Sequence, residues 1–178
     1  MRVCVLAAAF LLTPLRAEAS CGAGATPAYR DIVYVAVSQS SLTGPLHPSY
    51  RYEAQGIALP QNGRIRADAS LSARGRAVRF VGSYVAVDPM QSLGDAVAIL
   101  ERHRFFQMRL NPARALYIDG PEDEIIAARC GVTTTLGTIG RGGEAELNDD
   151  QGKAFVKLED DLRRVIFSEK WALPTPAP

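Results

Sequence analysis

The stretch ALYIDGPEDEIIAARCGVTTTLGTI, residues 115–139, decides the fold class. Its segments ALYID, EIIAAR and VTTTLGTI are rich in apolar and β-branched residues, which is typical of strands. Gly120 and Pro121 lie between the first two segments, and glycine and proline are the strongest turn signals. Strands that are joined by short turns pair antiparallel. The stretch therefore predicts a series of antiparallel strands.

The acidic segment DGPEDE, residues 119–124, is predicted to form the tip of the first hairpin. Calcium-binding loops place their oxygen ligands at a spacing that this segment lacks. Neighbouring side chains in a strand point to opposite faces, so Asp123 and Glu124 would point apart. We expect four carboxylates to cap the turn and three aliphatic residues to face the core: Asp119, Glu122, Asp123 and Glu124, and Ile118, Ile125 and Ala127.

Four more segments on the N-terminal side have strand-like patterns. DIVYVAVS (31–38) is apolar on both faces, which predicts a central strand. SYRYEAQGIAL (49–59) and RIRADASL (64–71) alternate between polar and less polar residues, as half-buried strands do. Asn62-Gly63 between them favours a two-residue hairpin turn. The segment AVRFVGSYVAV (77–87) completes the set.

Two segments have helical periodicity instead. The first has Ser92 as its predicted N-cap, and His103 is expected on its solvent-exposed face. Its apolar stripe consists of Leu93, Ala96, Val97 and Leu100. The second helix is predicted to start near Gln151, and Trp171 is expected to close the edge of the core after it. Its core face consists of Phe155, Leu158, Leu162, Val165 and Ile166, and its solvent face of Glu159, Asp160, Arg163 and Arg164.

The order of these elements is a group of strands, a helix, a second group of strands and a second helix. Helices that follow antiparallel strands tend to gather on one face of the sheet. The fold class is therefore predicted to be α+β: a two-layer sandwich, mainly an antiparallel sheet, with two helices packed on one face.

The first 19 residues have the three parts of a secretory signal peptide. They begin with Met1-Arg2, continue with the apolar run VCVLAAAFLL and end with the small residues of Ala17-Glu18-Ala19. The apolar run is shorter than the roughly 20 residues of a membrane-spanning helix. The alternative is a buried N-terminal element of the mature fold. We expect a signal peptide (1–19), a flexible segment (20–29), a single domain (30–172) and a disordered proline-rich tail (173–178), in a periplasmic or secreted protein without a membrane span.

Cys21 and Cys130 remain after removal of the signal peptide, and export brings them into an oxidising compartment. They are predicted to form a disulfide, which would contribute about 4–5 kcal/mol by closing a long loop in the unfolded chain. The alternative is a buried, unpaired Cys130 with Cys21 free or lipidated. Lipoprotein signals usually carry leucine where this chain has Glu18, so a lipid anchor at Cys21 is not expected.

Few residues in the sequence indicate a catalytic, metal-binding or cofactor-binding site. The two histidines, His47 and His103, and the two remaining cysteines lack the spacing of a zinc site, so no metal or cofactor is expected. No phosphate-binding loop or nucleophile elbow is present in the sequence. The net charge is +1, and the chain has no basic stripe, which does not favour nucleic-acid binding. The residues that could form a functional loop are His47, Tyr50 and Tyr52, in and beside the proline-bracketed segment TGPLHPSY (43–50).

The segment SLTGPLHPSYRYEAQGIALPQNGRIRADAS (41–70) resembles an exported bacterial domain family of unknown function. That family has a C-F-G-x-C-P-x-Y motif, followed by a strand, a glycine turn and a second strand. Gly44, Pro48 and Tyr50 match the motif, whereas Leu42 and His47 stand where the family has cysteines. The resemblance implies the fold and carries no settled activity.

The leading hypothesis is a non-catalytic binding or protein-interaction module of the cell envelope, whose partner is an unknown protein or small ligand. It rests on the missing nucleophile–base pairs, metal spacings and cofactor loops. The alternative is an envelope hydrolase that uses His47 with an acid brought near by folding. An enzyme should have His47 within hydrogen-bond distance of Asp or Glu beside a pocket. A binding module should instead present an exposed sheet face or loop rim.

Overall fold

A computed structural model describes residues 28–41, 49–58, 65–74, 80–112, 121–140 and 143–175. These residues form a seven-stranded antiparallel sheet, a two-stranded ribbon and two α-helices that pack on one face of the sheet. The predicted α+β two-layer sandwich is therefore confirmed. The signal peptide, Cys21, His47 and the first predicted strand of the opening stretch lie outside the described residues.

The sheet has the strand order β6-β5-β1-β2-β3-β4-β9, and β7 pairs with β8 in the ribbon. The strands are β1 (Ile32–Ser41), β2 (Ser49–Ala58), β3 (Ile65–Arg74), β4 (Gly82–Ala86), β5 (Pro121–Arg129), β6 (Val132–Gly137), β7 (Ile139–Gly140), β8 (Gly143–Glu144) and β9 (Trp171–Ala172). The helices are α1 (Pro89–Arg102) and α2 (Asp150–Ser168), with short 3-10 turns at Tyr29–Asp31 and Phe105–Gln107.

The two faces of the sheet differ because the strand sequences alternate. In β3, Ala67, Ala69, Leu71 and Ala73 are buried, and the residues between them are exposed. The buried side is covered by the helices, and its small alanines let the helices approach the sheet closely. The opposite side, which we call the open face, carries the alternate polar residues. β1 lies between β5 and β2, and Val35 and Val37 in it are fully buried, which confirms the predicted central strand.

Asp88 caps α1, and the prediction of Ser92 for this position is wrong. The Asp88 carboxylate accepts a hydrogen bond from the Gln91 backbone N–H at 3.1 Å, and Pro89 occupies the first helical position. Proline suits that position because its missing N–H would be unpaired there in any case. Ser92 lies one turn further on and is fully buried. At α2, Asp149 accepts a hydrogen bond from the Gly152 N–H at 2.7 Å, and the helix begins at Asp150, next to the predicted start near Gln151.

The core lies between the helices and the covered face. Its largest fully buried side chains are Tyr52, Phe105, Phe155, Leu71, Leu100, Ile125, Leu158, Leu162 and Ile166. Trp171 closes one edge as predicted. Its ring lies 6.1 Å from that of Tyr52, and its Nε1–H donates to the Ile166 carbonyl at 2.8 Å.

The acidic segment lies differently from its prediction. β5 starts at Pro121, so Glu122, Asp123 and Glu124 are strand residues and do not form the tip of a hairpin. Asp123 is only 6% exposed, whereas Glu122 on the opposite face is exposed. The burial of Ile125 and Ala127 is confirmed. Ile118 and Asp119 lie outside the described residues.

The turn between β5 and β6 is formed by Cys130 and Gly131. Their φ angles are 51° and 73°, and Arg129 pairs with Val132 on either side of them. Positive φ at both central residues is what a two-residue type I′ turn requires. This turn joins the predicted strands EIIAAR and VTTTLGTI into an antiparallel pair, of which the second ends as a strand at Gly137.

Candidate functional site

One end of the covered face is polar, although the rest of that face is mostly apolar. Asp123 in β5, Gln39 in β1 and Tyr50 in β2 are direct cross-strand neighbours there. In the next row that points to the same side, Ile125, Val37 and Tyr52 are neighbours and are fully buried. We call Asp123, Gln39 and Tyr50, together with Glu159 of α2 above them, the polar row.

A hydrogen bond joins β1 to α2 within the polar row. The Gln39 Nε2–H donates to Glu159 Oε1 at 3.1 Å. The carboxyl group of Asp123 lies near both Gln39 and Glu159 and interacts with them electrostatically. Two buried carboxyl groups near each other disfavour a double negative charge. The ionisation of one group therefore opposes the ionisation of the other, and we call Asp123 and Glu159 the acid pair.

Burial determines the protonation of this pair. Burial, reinforced by the negative charge of Asp123, raises the pKa of Glu159 to about 8, and Arg163 offsets part of the effect. Burial also raises the pKa of Asp123. Only 7% of Glu159 and 6% of Asp123 is exposed, so water cannot solvate two charges there.

Two buried atoms of the polar row have no hydrogen-bond partner among the described residues. They are the Tyr50 hydroxyl and Asp123 Oδ1. Burial and the neighbouring acids Glu159 and Asp123 raise the pKa of Tyr50, so its hydroxyl stays protonated. The Asp123 backbone is held at the same place, because its N–H donates to Thr138 Oγ1 at 2.9 Å. Buried polar atoms without partners are uncommon in folded proteins.

A depression of about 260 Å³ lies at the same end of the sheet, on the open face. Its described lining consists of six residues that alternate with the polar row, Ser38, Ser40, Ser49, Arg51, Ser72 and Arg74, and of three residues between them in the strands, Gln39, Tyr50 and Ala73. Arg51 is the cross-strand neighbour of both Ser38 and Ser72, and Arg74 is the neighbour of Ser49. The depression exists because small serine side chains lie beside long arginine side chains.

Contacts within the open face hold Arg51 in place. Its Nε and Nη2 atoms donate to Glu53 Oε1 at 3.0 and 2.7 Å, and the Tyr34 hydroxyl donates to the same oxygen at 3.1 Å. The hydrogen bond from Arg51 lowers the pKa of Glu53. Arg74 is exposed and forms no ion pair with the residues that the structure describes. The open face therefore presents at this depression one anchored guanidinium and one that has no ion-pair partner among the described residues.

A larger depression, of about 420 Å³, adjoins the start of α2 and is lined by Asn111, Pro112, Glu146, Asn148 and Asp149. Its polar groups satisfy one another. Asp149 caps α2 and accepts a hydrogen bond from Asn111 at 2.8 Å, and Glu146 accepts one from the Asn148 N–H at 2.9 Å. The carboxylates of Asp149 and Glu146 are therefore engaged in local hydrogen bonds at the start of α2.

The structure places Tyr50 and Tyr52, two of the three residues predicted for a functional loop, within a strand. Both lie in β2, where they are 4% and 0% exposed, because alternate residues of this strand face the helices. Tyr52 joins β2 to α1, with its hydroxyl 2.9 Å from Ser92 Oγ. His47, the third residue of the predicted loop, lies outside the described residues.

The cluster around Ser92 contains a second buried acid. Burial raises the pKa of the carboxyl group of Glu169, at the end of α2, to about 7, and the nearby Ser92 side chain offsets part of the effect. Glu169 Oε1 has no hydrogen-bond partner in the described parts of the chain. The middle of α2 and the residue after its last turn thus each bring a carboxyl group toward the interior, Glu159 beside Tyr50 and Glu169 beside Tyr52.

His103 is not on a solvent-exposed face, which corrects its prediction. Its side chain is 10% exposed, and its Nε2 lies 2.9 Å from Asp161 Oδ2. The hydrogen bond with His103 lowers the pKa of Asp161. No other hydrogen bond to the His103 imidazole occurs within the described ranges, so no hydroxyl or thiol is placed there for activation by this histidine. The pair joins the end of α1 to α2.

The structure describes only one of the two cysteines that are predicted to form a disulfide. Cys130 is disulfide-bonded, and the residue bonded to it lies outside the described part of the chain. Its pairing with Cys21 stays a prediction. Among the described residues, no group of three or more His, Cys, Asp or Glu could hold a metal ion. None of the described helices is both long enough and apolar enough to cross a membrane.

Sequence reasoning missed Gln39 and Glu159, and the prediction of Glu159 on the solvent face is wrong. A signal for Glu159 was present, because it follows Phe155 by four residues and precedes Leu162 by three. That spacing places it on the apolar stripe of α2. The cross-strand neighbours of Gln39 depend on the pairing of β5 with β1, which local patterns do not reveal.

Comparisons with protein-family models, with curated proteins and with solved structures found no match to this chain.

Proposed function

We propose that this protein is a non-catalytic binding domain of the cell envelope and that the open face of its sheet is the binding surface. The observation that carries the proposal is the asymmetry of the sheet. The described helices cover one face, and the other face holds a depression lined by two arginines and four serines. Anchored polar groups on a rigid sheet can bind a partner with little loss of conformational entropy.

The chemistry of the open face supports binding more than catalysis. Tyr34, Arg51 and Glu53 form a hydrogen-bonded group on that face. Catalysis would need a nucleophile or base that touches a substrate. The described acid pair lies under α2 with its carboxyl groups less than a tenth exposed. His103 is already paired with Asp161.

The second candidate function, a hydrolase that uses His47, has one observation in its favour. The segment with His47 joins β1 to β2, and Gln39 and Tyr50 of the polar row lie within two residues of the ends of those strands. An acid pair with a pKa raised to about 8 could supply a general acid to a neighbouring histidine. We expect a panel of ester, amide and glycoside substrates to show no turnover. Turnover that His47→Ala abolishes would establish the enzyme instead.

Export to an oxidising compartment is part of the proposal. The signal-like N-terminus and the disulfide at Cys130 support it. Intact-mass measurement of the protein from its native host should give a chain that begins at Ser20. Peptide mapping without reduction should give one fragment that contains both Cys21 and Cys130. A mass that retains Met1, or a diacylglycerol on Cys21, would contradict this part of the proposal.

The binding surface can be tested by blocking it. Ser70 is exposed on the open face, in β3. Lys153 is exposed on α2, on the other side of the molecule. Tagged protein with Ser70→Trp should no longer recover the partner that the unmodified protein recovers from envelope extract. Lys153→Trp should still recover it. Undiminished recovery by Ser70→Trp would exclude the open face as the binding surface.

A further inference from the structure

The side chains that the open face contributes to the depression are arginines and serines. Arg51 and Arg74 contribute two guanidinium groups, and Ser38, Ser49 and Ser72 contribute hydroxyl groups. No carboxylate is among the described residues that line it. The fourth serine, Ser40, donates to Glu122 Oε2 at 3.3 Å, so its oxygen can still accept a hydrogen bond. A guanidinium has no acceptor, so the ligand that satisfies these groups must supply oxygen acceptors.

The two arginines differ in how firmly their guanidinium groups are held in place. Arg51 is fixed by Glu53, and its Nη1 is not used in that contact. Arg74 has no partner among the described residues and lies beside Ser49 on the neighbouring strand. A planar guanidinium can contact two oxygens of a carboxylate, sulfate or phosphate at once. The fixed arginine would position the ligand, and the free one would close onto it.

We infer that this depression binds a small ligand through an oxyanion group, which is a phosphate, sulfate or carboxylate, with ligand hydroxyl groups on the serines. This inference rests on the proposed function, because it assigns a ligand class to the same open face. The size of the depression, about 260 Å³, lies just below the roughly 300–1,000 Å³ of pockets for drug-sized ligands. That size fits one substituted sugar or a compact organic acid.

NMR titration of the purified protein tests the inference directly. Sodium sulfate, sodium phosphate, citrate and glucose 6-phosphate are the probes, with glucose and with sodium chloride at matched ionic strength as references. We expect the oxyanions to shift the backbone amide signals of Ser38, Arg51 and Ser72 with saturation. Glucose and chloride should leave them in place. The strongest of the four probes then identifies the source of the oxyanion.

A matched pair of variants separates a specific site from general charge. Arg66 and Arg74 lie on the same face of β3, and both are exposed. Arg66 is paired with Asp68 and lies outside the depression. Arg74→Gln should weaken oxyanion binding at least about tenfold, which is the typical effect of losing one hydrogen bond to a charged group. Arg74→Lys should restore part of the affinity, and Arg66→Gln should leave it unchanged.

The outcomes distinguish this inference from the proposed function. Equal losses in Arg74→Gln and Arg66→Gln, or equal shifts with chloride, would overturn the oxyanion site. If the titration fails while Ser70→Trp still blocks the partner, the inference is wrong and the open face remains the binding surface. If oxyanions bind as expected and Ser70→Trp has no effect on the partner, the inference stands and the proposed function is wrong.

Discussion

Replacement of Glu159 by glutamine should remove much of the pH dependence of folding. The side chain lies in the polar row, where burial and Asp123 raise its pKa from 4.5 to about 8. An acid whose pKa is higher in the folded chain than in the unfolded chain binds more protons when folded. Its contribution to stability is therefore complete below pH 4.5 and is lost as the pH rises through 8.

The magnitude follows from the same two values. Each unit of difference in pKa between folded and unfolded chain corresponds to about 1.4 kcal/mol. Between pH 5 and pH 9, the wild type should lose about 4 kcal/mol of its free energy of unfolding through this one group. Glutamine has nearly the same shape, can accept from Gln39 and can donate to Asp123. At pH 5 the variant should be within about 1 kcal/mol of the wild type, because it replaces one hydrogen-bonded neutral group by another.

Urea unfolding followed by circular dichroism at pH 5, 7 and 9 measures this difference. The charged groups that face Glu159 are Arg163, Asp160 and Asp123, and all remain in the variant. Glu101→Gln, on the exposed surface of α1, is the matched control and should follow the wild type. Parallel stability curves for the wild type and Glu159→Gln between pH 5 and pH 9 would refute the reasoning.

Three further sets of substitutions test other parts of the structure. Glu169→Gln should reduce the change in the free energy of unfolding between pH 4.5 and 7, because burial raises the pKa of Glu169 to about 7. An unchanged pH dependence would count against a buried carboxyl group there. Gly152→Ala should destabilise by more than about 2 kcal/mol in thermal melting, because its Cβ would lie 2.3 Å from the Glu146 carbonyl oxygen. Gly94→Ala is the control, where nothing lies within 4 Å of the added Cβ and a gain of about 0.5–1 kcal/mol is expected. Ile125→Ala should lower the free energy of unfolding by about 2–5 kcal/mol, and Asp123→Ala should lower it by about 1–3 kcal/mol, because both side chains are buried. Glu122→Ala should change it by less than about 0.5 kcal/mol. Equal effects of the two acidic substitutions would contradict the burial of Asp123.

Local patterns predict most of this fold. The alternation in β3 and the apolar segment in β1 are confirmed as a half-buried and a central strand, because side-chain direction in a strand follows residue number. The helical stripe of α2 is confirmed in the same way. These elements are encoded within about ten residues each. They can therefore be inferred without knowledge of the tertiary structure.

The candidate site is encoded differently. Asp123 was predicted at a turn because Gly120, Pro121 and three acids suggest an exposed segment. The structure buries it because β5 pairs with β1, which lies more than eighty residues earlier in the chain. The depression likewise combines residues of β1, β2 and β3. The alternating pattern of the strands predicts that one face of the sheet is polar and exposed. It does not predict which residues are neighbours in the polar row, because these depend on pairings between distant segments.

In vivo photo-crosslinking tests the central claim, that the open face is the binding surface. A photoreactive amino acid is placed at position 70, on the open face, or at position 153, on the exposed surface of α2. The crosslinked products are then compared in cells of the native host. We predict a discrete adduct from position 70 that is absent from position 153. An adduct from position 153 alone would contradict the account.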